Sequence, residues 1–397
     1  MLSSTIFRRS TGLLFGLLLA TACTDPYLPE ALQAPPSYLV VDGFLNARGS
    51  TTIKLSRTYA VGAKTPPPVE VRASVYLEEE GGPATLLREA PAGTYTSPTA
   101  LALDAARRYR LHLTTLGGKE YASDFVPVKI TPPIDNLSWQ ADSTGLRIRL
   151  NARDPSNATR FYRWDYVETW EINPIYMPQV EFKAGILNLP DITVLFPTKC
   201  WGTAPSTSVL LTNTTPLSQD AVTDRLIRQL PPTSERLHNG YSMLVQQQGL
   251  TKDEFAYWEL LRKNTESIGS LFDAQPVQLT GNVHCLNSPT EPVLGFVGAH
   301  SVVEKRLFVA RRELPAAWLT PDGYATCYPP DTLWLDAKNP VNNLASMQSY
   351  FGNGANIPIQ KEVKSVNNAP VFGYSAQSRD CIDCRTRGTS VKPSFWP

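Results

Sequence analysis

Apolar and polar residues alternate with a period of two along several short runs that begin near Tyr38. The alternation is clearest over residues 53–55, 71–77 and 109–113, where neighbouring side chains of opposite character point to opposite sides of an extended chain. Such runs, separated by turn residues, are typical of antiparallel strands with one buried face. The pattern therefore predicts a mainly β fold built from short strands and hairpins.

The first group of strands lies within residues 37–130, which we interpret as one small β-sandwich. Gly81-Gly82-Pro83 and Gly117-Gly118 mark hairpin turns inside it. Leu103 lies six residues before Tyr109, which is the spacing of the tyrosine corner in immunoglobulin-like sandwiches. We therefore expect an immunoglobulin-like or fibronectin-like N-terminal domain.

A larger second domain is predicted over residues 131–397. Residues 146–152 alternate most cleanly, with leucine, isoleucine and alanine on one face and arginine and asparagine on the other. Residues 161–171 form a second, strongly aromatic strand. The second domain is therefore expected to be rich in β-strands as well.

Tyr162, Trp164 and Tyr166 lie on one face of the aromatic strand. An exposed row of aromatic rings could bind sugar rings, which makes these three residues candidate ligand-binding residues. Aromatic residues also favour strands and dominate the cores of sandwiches. Burial in the core is the interpretation that we prefer.

Two helices are predicted to interrupt the strands, over residues 218–230 and 252–268. Ser218 is a suitable N-cap for the first helix, and two prolines end it. Its apolar stripe consists of Val222, Leu226 and Leu230. The second helix opens with a capping box at Thr251-Lys-Asp-Glu254 and continues with apolar residues at helical spacing. Both helices are expected to pack against a sheet.

Residues 1–22 have the layout of a secretory signal peptide. Arg8 and Arg9 precede an apolar run, residues 12–20, that is too short to cross a bilayer as a helix. Cys23 follows directly, so the segment resembles the lipobox of bacterial lipoproteins, in which this cysteine carries the lipid. Residues 23–36 are polar and rich in proline, and we expect them to act as a lipidated tether.

Net charge argues against nucleic-acid binding. Without residues 1–22 the chain has 35 basic and 36 acidic side chains, and it lacks the clustered basic residues that nucleic-acid binding requires.

Because no second apolar run reaches spanning length, the lipid on Cys23 is expected to be the membrane anchor.

Motifs for catalysis are not found in the sequence. There is no Gly-x-Ser-x-Gly elbow, no His-Glu-x-x-His helix and no phosphate-binding glycine loop. Asp165, Glu168 and Glu171 could supply the carboxylate pair of a glycosidase, but carboxylates are common on the solvent face of strands. We therefore predict a protein that is not an enzyme and that has neither a cofactor nor a metal site.

Five cysteines remain once Cys23 is assigned to the lipid, and outside the cytoplasm they are expected to form disulfides. They are Cys200, Cys285, Cys327, Cys381 and Cys384. Cys381 could bond Cys384, or either of them could bond Cys200, and Cys285–Cys327 is a plausible second bridge. Because five is odd, one cysteine should be free or paired with another molecule.

Several phrases together resemble a lipoprotein family of Bacteroidota that is known only as domain of unknown function 4249. These phrases are Leu39-Val-Val-Asp-Gly43, Tyr162-Arg-Trp164, Cys200-Trp201, Gln246-Gln247, Gly269-Ser-Leu-Phe-Asp273 and Cys381-Ile-Asp-Cys-Arg385. The family has no assigned catalytic residues. Its members look like outer-membrane lipoproteins that are often encoded beside TonB-dependent receptors.

The resemblance implies an outer-membrane lipoprotein, on the cell surface or facing the periplasm, that partners a TonB-dependent transporter in nutrient capture. Two alternatives remain open from the residues alone. One is a surface protein that binds or cleaves glycans through Tyr162, Trp164 and Tyr166. The other is a structural envelope or adhesion protein whose sandwiches act as spacers.

Overall fold

The computed structural model describes residues 37–60, 63, 65–188, 191–266, 279–336 and 338–397. The predicted signal peptide, Cys23 and the predicted tether therefore lie outside the described residues. Strands far outnumber helices, so the predicted mainly β class is confirmed.

The N-terminal part of the chain forms ten strands that are joined mainly by hairpins. They are β1 (Leu39–Asn46), β2 (Arg48–Gly49), β3 (Thr52–Arg57), β4 (Ser74–Glu79), β5 (Ala84–Glu89), β6 (Thr94–Thr96), β7 (Leu101–Ala102), β8 (Arg108–Thr114), β9 (Glu120–Ser123) and β10 (Val126–Lys129). The two predicted glycine turns connect β4 to β5 and β8 to β9. The predicted tyrosine corner also forms, because the Tyr109 hydroxyl accepts a hydrogen bond from the backbone N–H of Asp104 at 3.1 Å.

A stretch of chain far downstream completes this unit. It supplies β20 (Val283–Cys285), β21 (Val293–Leu294) and β22 (Ala299–His300). β21 and β22 pair in parallel with β1, β22 also pairs with β10, and β20 extends the sheet beyond β9. The predicted boundary at residue 130 therefore cuts off part of the domain. We call residues 37–130 with 279–300 the N-terminal barrel.

The strand pairings of the N-terminal barrel close on themselves. The path runs from β1 through β3, β6, β5, β4, β8, β10 and β22 back to β1. Its interior is filled by the apolar members of the alternating runs, including Ile53, Leu55, Val75, Leu111 and Leu113, all of which are almost completely buried. Each such side chain contributes about 1.5–3 kcal/mol through burial.

The central part of the chain forms a second unit, which we call the central sandwich. Its strands are β11 (Ile134–Asp142), β12 (Gly145–Arg153), β13 (Phe161–Ile172), β16 (Cys200–Pro205), β17 (Leu210–Asn213), β18 (Ala221–Leu230), β19 (Tyr241–Gly249) and β23 (Val302–Val309). One sheet has the order β11-β12-β18, and the other has the order β16-β13-β19-β23 with β17 beside β13. Residues from both sheets share one core.

Residues 221–230 form strand β18 and not the predicted helix. β18 pairs with β12, and the register shifts twice along this pairing. One shift lies near Asp224, which has a left-handed φ of 53°. Bulges change the phase of alternation, so the buried residues are Val222, Ile227 and Leu230 while Leu226 is exposed. Because of these shifts, apolar residues of the strand recur at a spacing that resembles the apolar stripe of a helix.

The second predicted helix is confirmed as α1 (Lys252–Glu266). Thr251 caps it, since the Thr251 hydroxyl accepts a hydrogen bond from the Glu254 backbone N–H at 3.1 Å. The helix contacts β13 and β17 on the outer face of the larger sheet. It therefore packs on a sheet as predicted.

A hairpin from the middle of the chain, a small C-terminal sheet and two C-terminal helices complete the described structure. They are β14 (Val180–Phe182), β15 (Ile186–Asn188), β24 (Asp331–Trp334), α2 (Pro340–Phe351), β25 (Asn356–Val366), β26 (Ala369–Ser378) and the short α3 (Arg379–Ile382). β24, β26 and β25 form one sheet, and β14 pairs with β15. α2 was not among the predicted helices, although Asn339 caps it and Pro340 occupies its first turn.

Candidate functional site

The predicted aromatic row is part of the core of the central sandwich. The exposed fractions of Tyr162, Trp164 and Tyr166 are 0%, 0% and 5%. The Tyr162 and Trp164 rings stack at 5.8 Å, and Trp164 Nε1 donates to Gln247 Oε1 at 2.9 Å. A sugar cannot reach rings that are enclosed in this way. The core interpretation is therefore correct, and the three rings do not form an exposed row for sugar binding, although Tyr166 also borders the cleft described next.

The opposite face of β13 borders a cleft between the central sandwich and the N-terminal barrel. The cleft has a volume of about 280 Å³. Its lining includes Asp42, Phe44, Phe296 and His300 from the barrel, and Arg163, Asp165, Gln248, Glu254 and Trp258 from the central part of the chain. We call this space the interdomain cleft. Ligand sites occur preferentially at such boundaries.

Arg163 is held in the interdomain cleft by stacking and by charge. Its guanidinium carbon lies 3.6 Å from the centre of the Trp258 ring, and its NH2 group lies 3.0 Å from Asp165 Oδ1. Gln248 Nε2 donates to the other oxygen of Asp165 at 2.9 Å. These contacts join β13, β19 and α1, so the polar floor of the cleft is preorganised.

His300 forms the most deeply buried wall of the cleft, with an exposed fraction of 0%. Its ring stacks on Phe44 at 4.2 Å, and Nε2 lies 3.4 Å from Glu254 Oε1. Gly298 makes this approach possible, because a Cβ there would lie 2.2 Å from Glu254 Oε2. The histidine of the barrel and the carboxylate of α1 therefore meet across the domain boundary.

The charge of the cleft lining is predominantly acidic. Asp42, Asp165 and Glu254 provide three carboxylates, whereas Arg163 provides one guanidinium that is already paired with Asp165. Nearby, burial raises the pKa of Tyr257 to about 12, and the Asp42 carboxylate adds to this shift. Tyr257 is therefore neutral at physiological pH, and the arginine of the lining is paired with Asp165.

The three carboxylates considered for glycoside hydrolysis are not assembled into a pair. Glu168 lies on the core side of β13, where it binds Arg236, Arg228 and Tyr241. Asp165 and Glu171 share the opposite face but are six residues apart, about 20 Å along a strand. Glycosidase carboxyl groups are separated by roughly 5–9.5 Å, so β13 does not present the geometry of a glycosidase.

Two disulfides connect the C-terminal end to β16 of the central sandwich and to the loop that precedes β24. They are Cys200–Cys384 and Cys327–Cys381, with Cα–Cα distances of 5.8 Å and 5.7 Å. Of the pairings left open by the sequence, a bond from Cys384 to Cys200 is the one that forms. Cys381–Cys384 and Cys285–Cys327 were wrong expectations. Cys285 is the odd cysteine, free and buried in the barrel core.

The residues of the interdomain cleft were not singled out from the sequence. Arg163 and Asp165 alternate with the aromatic row, so their position opposite the core could have been inferred. The sequence indicated Glu254 only as a capping residue, and it gave no signal for His300. The sequence does not reveal how the barrel packs against the sandwich, and this packing brings together residues that are far apart in the chain.

The described residues contain neither a metal-binding cluster nor a membrane-spanning helix. Within these ranges, no group of three or more histidine, cysteine, aspartate or glutamate side chains is placed to hold a metal ion. No helix in the described part of the chain is both long and apolar enough to cross a membrane.

Comparison with known proteins places the chain in one family. No curated protein matches the sequence. Residues 24–306, more than half of the chain, match the family described as "Domain of unknown function (DUF4249)". The matched range contains the barrel, the interdomain cleft and β13, whereas Cys327, Cys381 and Cys384 lie beyond it. The chain therefore belongs to the DUF4249 family.

Proposed function

We propose that the protein is a non-enzymatic, lipid-anchored lipoprotein of the outer membrane that acts as the accessory partner of a TonB-dependent transporter and helps to capture a nutrient. The interdomain cleft is the observation that carries this proposal. Its walls come from two domains, and its polar side chains include the buried Gln248, Glu254 and His300. A spacer protein would have no need of such a cleft.

The proposed anchor is Cys23, at the end of the apolar segment of residues 12–20. A tether of residues 23–36 would reach about 50 Å when fully extended. It would enter the barrel just before β1, one of the strands that lines the cleft. The start of the barrel would then lie within about 50 Å of the membrane surface, at the cell-surface face where a transporter opens.

Co-purification tests the proposed partnership. The protein is extracted from membranes in mild detergent, and the proteins that accompany it are identified by mass spectrometry. We expect a β-barrel receptor in appreciable yield. Recovery of the protein alone would contradict the partnership. Loss of envelope integrity with unchanged uptake in a deletion strain would favour the alternative of a structural spacer.

The Cys23→Ser variant tests the anchor in the same fractions. We expect it in the soluble fraction, because the sulfur that would carry the acyl chains is missing. Cys285→Ser is the matched control, since Cys285 lies in the barrel core and should leave the protein in the membrane fraction. Membrane retention of Cys23→Ser would contradict the proposed anchor.

A further inference from the structure

The far end of the hairpin β25–β26 projects beyond the rest of the small C-terminal sheet. β24 ends opposite Gly373 of β26. Beyond this point, among the strands that the structure describes, residues 363–366 of β25 pair only with residues 369–372 of β26. The turn between them is Asn367-Asn368, whose positive φ values of 53° and 59° are typical of a two-residue type I′ hairpin. We call residues 363–372 the C-terminal arm.

Both faces of the C-terminal arm present apolar side chains to solvent. Val363 and Phe372 lie opposite each other on one face, with exposed fractions of 59% and 39%. Val366 lies on the other face and is 44% exposed. A contiguous exposed apolar patch commonly marks a contact with a partner or with a membrane. The arm is therefore a candidate contact site.

The charges of this hairpin lie behind its tip. Residues 365–378 contain no aspartate, glutamate, lysine or arginine. Lys361 and Lys364 precede them, one on each face of β25, and we call these two residues the basic collar. Each ammonium lies over an aromatic ring of the sheet, at 4.3 Å and 3.9 Å from the ring centre. Glu362 is the single acidic residue beside them, so the collar keeps a net positive charge.

A membrane surface fits this arrangement better than a protein surface does. A protein surface would cover one face of the two-stranded arm and leave the apolar residues of the other face in water, whereas lipid surrounds a tip that enters it. Lysine side chains can keep their ammonium groups at the headgroups while the apolar residues beside them go deeper. Anionic headgroups attract such lysines.

We propose that the C-terminal arm inserts its tip into the interface of an anionic membrane, with Lys361 and Lys364 against the lipid phosphates. Four residues of a strand span about 13 Å, and segments that lie in this interface reach a depth of about 5–10 Å. The arm is therefore long enough. The proposal rests on the proposed location of the protein at the outer membrane.

The contact made by the arm is weak and reversible. Even a whole acyl chain gives only marginal membrane binding, and the exposed apolar side chains of the arm, Val363, Val366 and Phe372, offer less apolar surface than that. The arm therefore orients a protein that is already anchored and does not hold it on the membrane. For this reason Cys23→Ser is still expected in the soluble fraction.

A fluorescent probe at the tip tests the proposal on protein that is tethered artificially. The chain from residue 23 onwards carries Cys23→Ser and, in place of residues 1–22, a histidine tag that binds vesicles containing nickel-chelating lipid. Ala369→Cys adds a thiol at the tip for an NBD label. Ser143→Cys, in the exposed turn between β11 and β12, is the matched control position. Cys285 is buried, and the unsubstituted protein gives the background of labelling.

The vesicles contain equal amounts of phosphatidylethanolamine and phosphatidylglycerol beside the nickel-chelating lipid. We expect NBD fluorescence at residue 369 to rise at least about twofold, because the probe leaves water for the interface, and no rise at residue 143. An unchanged signal at residue 369, or equal rises at both positions, would overturn the proposal.

Val366→Asp tests the apolar tip in the same labelled protein. The new carboxylate would have to enter the interface, so we expect the rise at residue 369 to be lost. Val341→Asp, on the exposed side of α2, is the matched control and should keep the rise. Thermal melts show that both variants are folded. A full rise with Val366→Asp would contradict insertion of the tip.

Neutral vesicles test the basic collar. When phosphatidylcholine replaces phosphatidylglycerol, we expect the rise at residue 369 to fall at least about twofold, because the two lysines lose their anionic partners. An equal rise on both kinds of vesicle would remove the collar from the proposal.

This proposal and the proposed partnership fail separately. The histidine tag makes the vesicle result independent of any lipid on Cys23 and of any receptor. A probe that responds to the co-purified receptor in detergent but not to vesicles would overturn the membrane contact and assign the C-terminal arm to the receptor. A probe that responds to vesicles although no receptor co-purifies would support the membrane contact and remove the partnership alone.

Discussion

At the scale of single residues, Asp154 organises the turn that links the two sheets of the central sandwich. Its carboxylate accepts hydrogen bonds from the backbone and hydroxyl of Ser156, from the backbone of Ala158, and from the backbone and hydroxyl of Thr159. Burial alone would raise the pKa of Asp154, but these hydrogen bonds outweigh it and lower the pKa to about 2.

Asp154→Asn should lower the free energy of unfolding by about 1–2 kcal/mol at neutral pH. An amide replaces one acceptor oxygen with a donor, which then faces N–H or O–H groups. Urea unfolding followed by circular dichroism gives the measurement, and the exposed Asp135→Asn in the same sandwich is the control. A change of less than about 0.3 kcal/mol would show that the turn does not depend on this carboxylate.

The same carboxylate predicts a pH dependence. The pKa of Asp154 is about 2 in the folded protein and close to 3.8 when unfolded. Because the folded value is the lower one, the contribution is complete above about pH 4 and is lost as the pH falls towards 2. The difference in unfolding free energy between wild type and Asp154→Asn should therefore shrink over this interval.

At the scale of elements, the disulfides hold the C-terminal segment against the central sandwich. α3 and the turn after it carry Cys381 and Cys384, which bond Cys327 and Cys200. The chain then runs past β16, where Trp201 and Thr389 exchange backbone hydrogen bonds. Farther along, Phe395 lies under the Arg306 guanidinium at 3.4 Å. Covalent and aromatic contacts together fasten the last 20 residues or so.

Removing the Cys200–Cys384 bond with a paired Cys200→Ser and Cys384→Ser change should cost about 2–5 kcal/mol of unfolding free energy. We also expect limited proteolysis to cut the chain after α3 in this variant, because the segment is no longer tied to β16. Cys285→Ser, which breaks no disulfide, should leave the cleavage pattern unchanged. A C-terminal segment that stays resistant in the double variant would contradict the role of this bond.

At the scale of the whole molecule, the N-terminal barrel depends on a distant segment. Val283, Val293, Val297 and Ala299 belong to its core, although more than 150 residues separate them from β10. Without them, the long edge of β1 would be unpaired on one side, which is a site of aggregation in β proteins. The barrel therefore includes strands that follow most of the central sandwich in the chain.

A fragment of residues 37–130 should consequently fail to fold on its own. The same fragment joined through a flexible glycine-serine linker to residues 279–300 should recover a cooperative thermal transition, because β20, β21 and β22 are restored. Circular dichroism melts of both fragments give the comparison. A cooperative transition of the short fragment would show that the later strands are dispensable.

The alternation of apolar and polar residues was enough to predict the mainly β class, because the pleat of a strand is a local property of the chain. The turn at Gly117-Gly118 and the cap of α1 at Thr251 could also be predicted from local sequence. β18 could not, because bulges in its pairing with β12 changed the periodicity. A local pattern shows which side chains of a segment are buried, but it does not show which other segment covers them.

Tertiary structure alone decided the closure of the barrel, the pairing of the cysteines and the interdomain cleft. Each depends on which distant segments meet: β1 with β22, Cys384 with Cys200, and His300 with Glu254. Contacts between distant segments cannot be inferred from residue spacing or composition, because these contacts follow from the packing of whole sheets. The sequence by itself determined that β13 has an aromatic face and a polar face. Packing decided that the aromatic face became the core and that the polar face became a candidate binding site.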